Sequence, residues 1–241
     1  MENNNKNYMV FGLILGLSII ISATIGSLTF YKLRSMDYIS TTGSAKKAVV
    51  SDKVKWASSI TRVVKASTIK DGYIKMDADL KVVKSFLATS GIPDTSIDIS
   101  PVFMNEIYEQ NPGPEKSYNL VQNITVQSGD VQKISDLAKN VSSLVAGNSM
   151  LFATSSLEFY YSKLPDVRVE LLANAVEDAK ARAEQLASAG GKKIGTLQSA
   201  SSGVVQVMAP NSVEVSDYGT YDTSSINKEI MVTVKSSFEI K

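Results

Sequence analysis

Residues 187–197, ASAGGKKIGTL, place Gly190, Gly191, Lys192, Lys193 and Gly195 together, the residue types from which phosphate-cradling loops are built. Such a loop works only ahead of a helix, where free N–H groups and the positive end of the dipole face the anion. Here the glycines follow an alanine-rich segment that reads as the helix. Gly190 and Gly191 therefore fall where a left-handed residue ends a helix, and the two lysines complement its negative end. No G-K-[ST] follows, and no G-x-G-x-x-G joins a strand to a helix. The stretch is expected to be a helix terminus.

Histidine and cysteine are both absent. Thiol nucleophiles, disulfides, Cys/His zinc sites and the commonest general base go with them. Carboxylates remain, in the local pairs Asp77 and Asp79, Asp94 and Asp98, Glu106 and Glu109, and Glu177 and Asp178. None has the alternating oxygen ligands of a calcium loop, and a glycosidase pair is defined by a separation that sequence does not give. They are expected on solvated faces. The serines lack a histidine partner, and no S-x-x-K or G-x-S-x-G stands in a persuasive setting. No catalytic, cofactor-binding or metal-ligating residue is assigned, and no cofactor is expected.

The 25 basic and 24 acidic residues nearly cancel, which argues against nucleic acid as a partner. Residues 8–31 carry no charge and are long enough to cross a hydrocarbon core of about 30 Å as a helix. Tyr8 and Tyr31 flank the run at interfacial positions. We read residues 1–36 as a membrane anchor, with a cleaved signal segment as the competing reading. Lys6 precedes the span and Lys32 and Arg34 follow it, so charge alone weakly favours a cytoplasmic C-terminal part. Gly12 and Gly16 make a G-x-x-x-G pair, a weak hint of anchor pairing.

The elements that would position any site follow from periodicity. Residues 39–67 read as two strands around a turn near Ser51 and Asp52; in the second, Val54, Trp56, Ser58 and Ile60 share one face. Tyr73, Met76, Leu80, Val83 and Leu87 form a helical stripe that stops at Gly91, with Pro93 beyond. Residues 96–110 and 116–128 read as a hairpin whose proline- and glycine-bearing tip projects. Asp130 is placed to cap a helix carrying Ile134, Leu137, Val141 and Leu144. SSLEFYYS is strand-like, and a long helix runs from about Pro165 to Ala189. On that helix Leu171, Ala175, Ala179, Ala183 and Ala187 form one narrow row, expected to pack closely on a sheet or a neighbouring subunit. Residues 199–223 read as a strand piece and a long exposed loop, with Tyr218 and Tyr221 as contact candidates. Ile226, Ile230, Val232, Val234, Phe238 and Ile240 alternate in a long central C-terminal strand, with Lys228 and Ser236 on the apolar parity.

Taken in order, these elements resemble the SIMPL-domain family of extracytoplasmic bacterial envelope proteins, which includes periplasmic immunogenic proteins. The resemblance is carried by AVEDAKARAEQLASAGGKKIGTL and the terminal strand EIMVTVKSSFEI. Upstream, Gly43, Ala45 and Asp52 answer the opening pattern, and Gly91, Ile92, Asp98 and Tyr118 the middle one. The sequence departs from the family in lacking the proline that often precedes the opening Asp, and in its anchor-like N-terminus. The resemblance spans about residues 37–241. It implies an α+β fold of antiparallel sheets with packed helices, an extracytoplasmic position that overrides the charge-based orientation, and ring-like homo-oligomers. It carries over no catalytic residue.

The expected protein is therefore a non-enzymatic, single-pass protein of the bacterial cytoplasmic membrane whose SIMPL-like domain, residues 37–241, lies in the periplasm. It would act by homo-oligomeric assembly or binding at the cell envelope, in envelope stress tolerance. Ala175, Ala179, Ala183, Ala187 and the terminal strand are the expected self-association surfaces. The alternative is a binding protein for an envelope peptide, glycan or protein, contacting it through Ser199 to Thr223, with Tyr218 and Tyr221, and through the 109–116 tip. A carboxylate-dependent hydrolase is the third reading, which requires two acids converging in a pocket.

Overall fold

The computed structural model describes residues 2–34, 37–108, 113–142, 144–145 and 150–241. The chain is α+β, with antiparallel sheets and packed helices behind an N-terminal helix, α1 (Glu2–Arg34). Within α1, Met9–Phe30 is apolar and long enough to cross a membrane. The elements that follow among the described residues include β1 (Tyr38–Val50), β2 (Lys53–Lys65), α2 (Ile69–Thr89), β3 (Ile97–Ile99), β4 (Phe103–Ile107), β5 (Ser117–Ser128), α3 (Val131–Lys139), β6 (Leu151–Tyr160), α4 (Leu164–Ala189), β7 (Ile194–Ser202), β8 (Gln206–Met208), β9 (Thr220–Tyr221) and β10 (Asn227–Ile240).

The chain divides into two compact units, between which β1, α4 and β10 continue without a break. The larger, residues 46–171 and 204–232, contains a sheet in the order β3-β5-β2-β6, with β4 also on β5. Its core gathers Val54, Trp56 and Ile60 of β2, Leu120 and Ile124 of β5, Met76, Val83 and Leu87 of α2, and Ile134 of α3. The two-residue period of β2 thus buries the face expected of it. Trp56 is a core residue, edge-on to Phe152 at 6.2 Å. Gly91 is left-handed at φ 72°, which ends α2, and the Asp130 carboxylate accepts from the Lys133 N–H at 3.1 Å, capping α3. β4 and β5 form the expected hairpin, although the first arm breaks at Pro101 into β3 and β4, because proline supplies no ladder donor. Residues 109–112 of its tip lie outside the described residues. β1 and β2 do not pair: β1 neighbours β10 in a second sheet, so the turn at Ser51 and Asp52 carries the chain from one sheet to the other.

The smaller unit, residues 1–45, 172–203 and 233–241, packs the first half of β1, the last part of β10 and β7 on α4. Its core is Ala179, Ala183 and Phe238, with Ile39 and Ile194 against them. Gly191 is left-handed at φ 69°, and the Lys192 N–H reaches back to the Ala187 carbonyl at 2.9 Å. The glycine pair is the helix cap expected of it. Gly43 lies so close to α4 that a Cβ there would stand 2.1 Å from the Ala175 carbonyl oxygen and 2.3 Å from the Ala179 nitrogen. Thr41 Oγ1 donates to the Ala179 carbonyl at 2.7 Å, and the Ser44 N–H to the Asp178 carboxylate at 2.8 Å. That carboxylate also accepts from Arg182 at 2.9 Å; these bonds hold its pKa below the usual carboxylate range. Strand and helix therefore meet backbone to backbone.

Gly43→Ala meets main-chain atoms that cannot move aside. Overpacking of this kind should cost about 3 kcal/mol or more. Thermal unfolding should show this loss, and Gly113→Ala, with open space around the added methyl, should leave the midpoint unchanged.

Candidate functional site

The polar feature that most constrains the larger unit starts from one lysine. The alternation of β10 turns Lys228 inward, where its side chain is 0% exposed. A buried ammonium needs compensation on every side. Its Nζ donates to the main-chain carbonyls of Asp222 and, at 2.8 Å, Ser225; it stands 3.7 Å from the Asp222 carboxylate and 5.7 Å from the centre of the Tyr221 ring. Burial pushes the Lys228 pKa down, and the neighbouring carboxylate only partly restores it. Burial alone would raise Asp222, but hydrogen bonds from Ser224 and Ser225 and the charge of Lys228 outweigh it and hold the carboxyl far below its ordinary range.

This anchor fixes the base of residues 204–225. Tyr221 accepts the Tyr161 N–H on its hydroxyl at 2.8 Å, and its ring lies 5.9 Å from that of Tyr160. Gln206, buried in β8, donates to the Ser216 carbonyl at 2.6 Å and accepts from Thr220 Oγ1 at 2.8 Å. Gly219 takes φ 86° where the chain turns back. A base tied at so many points presents an apolar crest to solvent: Val213 is 90% exposed, Val215 62% and Tyr218 97%. A cavity of about 510 Å³ in the same segment is lined by Val207, Met208, Glu214, Thr220, Tyr221 and Asp222 among others. Tyr218 thus stands free, whereas Tyr221 is committed to the base of the loop.

The alanine row has a different location. Ala175, Ala179, Ala183 and Ala187 are buried in the smaller unit, two of them under the Gly43 segment of β1. Their small size lets the chain's own strand approach, so the row offers no surface to a second copy. The terminal strand β10 is likewise covered, with β1 on one side and β7 and β8 on the other.

One free edge belongs to β7. Among the described residues it pairs with β10 alone, and all seven residues from Thr196 to Ser202 are exposed. It carries no charge and no proline, the usual guards of an edge. On other edges, the Ser44 N–H of β1 is taken by Asp178, and Thr223 accepts the Phe159 N–H of β6 at 2.8 Å; β3 and β4, which pair with β5, form a further edge that carries the charges of Asp98 and Glu106.

The acids do not gather. Asp77 pairs with Lys81, Asp94 with Lys84, Glu106 with Lys116 and Asp178 with Arg182. Asp79 departs from the expected solvated placement: it is buried in a two-point ion pair with Arg62, at 2.5 and 2.8 Å. Glu109 lies outside the described residues. Among the described residues no group of three or more His, Cys, Asp or Glu side chains is placed to hold a metal.

An α+β fold of antiparallel sheets and packed helices, following a candidate membrane span, defines the class. The SIMPL family model, described as a protein of unknown function (DUF541), matches residues 39–238, and the chain belongs to that family. It matches no curated protein.

Lys228→Ala leaves the Asp222 and Ser225 carbonyls and the Asp222 carboxylate without their buried partner. A loss of about 3 kcal/mol in denaturant unfolding is expected, with faster proteolysis within residues 204–225. The depressed Asp222 pKa stabilises the fold above the unfolded-state value of about 3.9, and that contribution fades as pH falls below it. Asp222→Asn should therefore be less stable near neutrality yet lose less stability than the wild-type chain between about pH 5 and about pH 3.

Proposed function

We propose that the chain is a single-pass membrane protein of the bacterial envelope, its two-unit domain outside the cytoplasmic membrane, acting without catalysis through self-association. The apolar helix Met9–Phe30 and the SIMPL match support the setting. One observation carries the mode of action: the nine residues of β7 present an uncharged, unguarded edge. Unpaired N–H and C=O groups of an edge strand are completed by another strand. A second β7, antiparallel and centred near Gln198, brings no like charges together. This edge replaces the alanine row and the terminal strand as the association surface, and envelope stress tolerance is the physiological role such an assembly would serve.

A second reading is favoured by the crest of Val213, Val215 and Tyr218. Three exposed apolar side chains on a tightly held loop suit the capture of an envelope protein or peptide, with the chain acting as a binding protein.

Light scattering on residues 37–241 over a range of concentrations should give a defined oligomer. Gln198→Lys and Gln198→Glu should each reduce it to smaller species, and mixing the two should restore it, because opposite charges then face across the pair. A monomer at all concentrations, or loss of mass that mixing does not restore, overturns pairing through β7. In spheroplasts, full-length chain carrying Ser212→Cys should react with a membrane-impermeant maleimide; protection until lysis would place the domain in the cytoplasm.

A further inference from the structure

One end of the larger unit holds a cleft of about 710 Å³, within the range of small-molecule sites (about 300–1,000 Å³). It forms where the start of β2 meets the ends of β5 and β6 and the turn before β3. The register accounts for its chemistry. Lys55 lies between Gln127 and Glu158, and Lys53 opposite Tyr160, all on the sheet face opposite Val54 and Trp56. Lys53 and Lys55 are two residues apart on one strand, so both ammonium groups rise on the same side.

The lining adds Ser96, Gln127, Ser128 and Ser162, with Val54, Pro93 and Tyr160 as its less polar part. The nearby acids are engaged. Asp52 accepts from the Ser162 N–H and hydroxyl at 2.8 and 2.7 Å, which holds that wall in place. Glu158 accepts from Tyr160 at 2.6 Å and from Ser156 at 3.0 Å, and forms an ion pair with Lys55 at 3.5 Å. Lys53 has no acidic partner among the described residues.

We propose that this cleft binds an anionic saccharide. Lys53 and Lys55 take the acid group, and the hydroxyl and amide side chains of Ser96, Gln127, Ser128 and Ser162 take the sugar hydroxyls. Two ammonium groups disfavour a cation, and the hydroxyl and amide side chains between them favour a hydroxyl-bearing ligand over a hydrophobic peptide. A lone small anion would leave most of the volume and most of the polar lining unused. A carboxylate and a phosphate satisfy the two lysines alike, so a uronic acid and a phosphorylated sugar are both sources of the same chemistry. This site shares no residue with the β7 edge or the Val213 to Tyr218 crest, and it does not depend on the self-association reading.

The test is calorimetric titration of the full chain in neutral detergent micelles with trigalacturonate, glucose 6-phosphate, maltotriose and inorganic phosphate. At least one acidic sugar should bind, with maltotriose and inorganic phosphate about tenfold weaker or worse. Lys53→Gln should weaken the acidic sugar by about tenfold while the unfolding midpoint stays unchanged, and Lys53→Arg should retain most of the affinity. Preference for trigalacturonate or for glucose 6-phosphate then identifies the acid group. Absence of binding by both acidic sugars overturns the proposal, as does equal binding of maltotriose or inorganic phosphate, or an affinity indifferent to Lys53→Gln.

Discussion

The alternation of β10 is the constraint on which most of the fold depends. Along this one strand Lys228, Ile230, Val232, Val234, Ser236 and Phe238 all face inward, and every strand that pairs with it takes its register from that parity. A slip of one residue would turn the whole set to solvent. The parity admits two polar residues, and their lengths decide their fates. Lysine is long enough to reach the carbonyls of Asp222 and Ser225, so its burial organises a loop. Serine is not, and the buried Ser236 hydroxyl has no hydrogen-bond partner in the structure.

In the smaller unit the equivalent decision is steric. Gly43 and the alanines of α4 remove side chains from both sides of one contact, which lets Thr41 and Ser44 bond directly to the helix. Small residues on a helix are often read as an invitation to another subunit; here they admit the chain's own strand. This also gives a physical reason for the glycine in the opening motif, since any side chain there would meet the backbone of α4.

The polar groups of the larger unit are arranged for holding. Asp222, Asp52, Glu158 and Gln206 each accept or donate several hydrogen bonds that fix a loop or a strand end. What they leave outward is an apolar crest and a cleft bordered by lysines. A rigid scaffold that presents exposed loop groups is the form that binding and catalytic sites alike take.

Much of this was legible from the residues in order. Period two gave the buried face of β2 and the central place of β10, the stripe from Met76 to Leu87 gave α2, and Gly91, Asp130 and Gly191 mark helix ends because cap chemistry is local. The family motifs, residues 43–52 and 175–197 above all, are structural and so were readable as fold. What sequence could not determine was which distant segments meet. It read β1 and β2 as two strands around a turn without saying what each pairs with, and pairing with β10 puts β1 in a different sheet from β2. It treated Asp79 as solvated because Arg62 lies seventeen residues away on another element. It saw Lys228 as a break in a pattern, because the carbonyls that receive it come from a loop without periodicity. Local periods and caps depend on neighbours a few residues apart and survive in the sequence; partners, edges and clefts depend on long-range contacts, and only the folded chain brings those together.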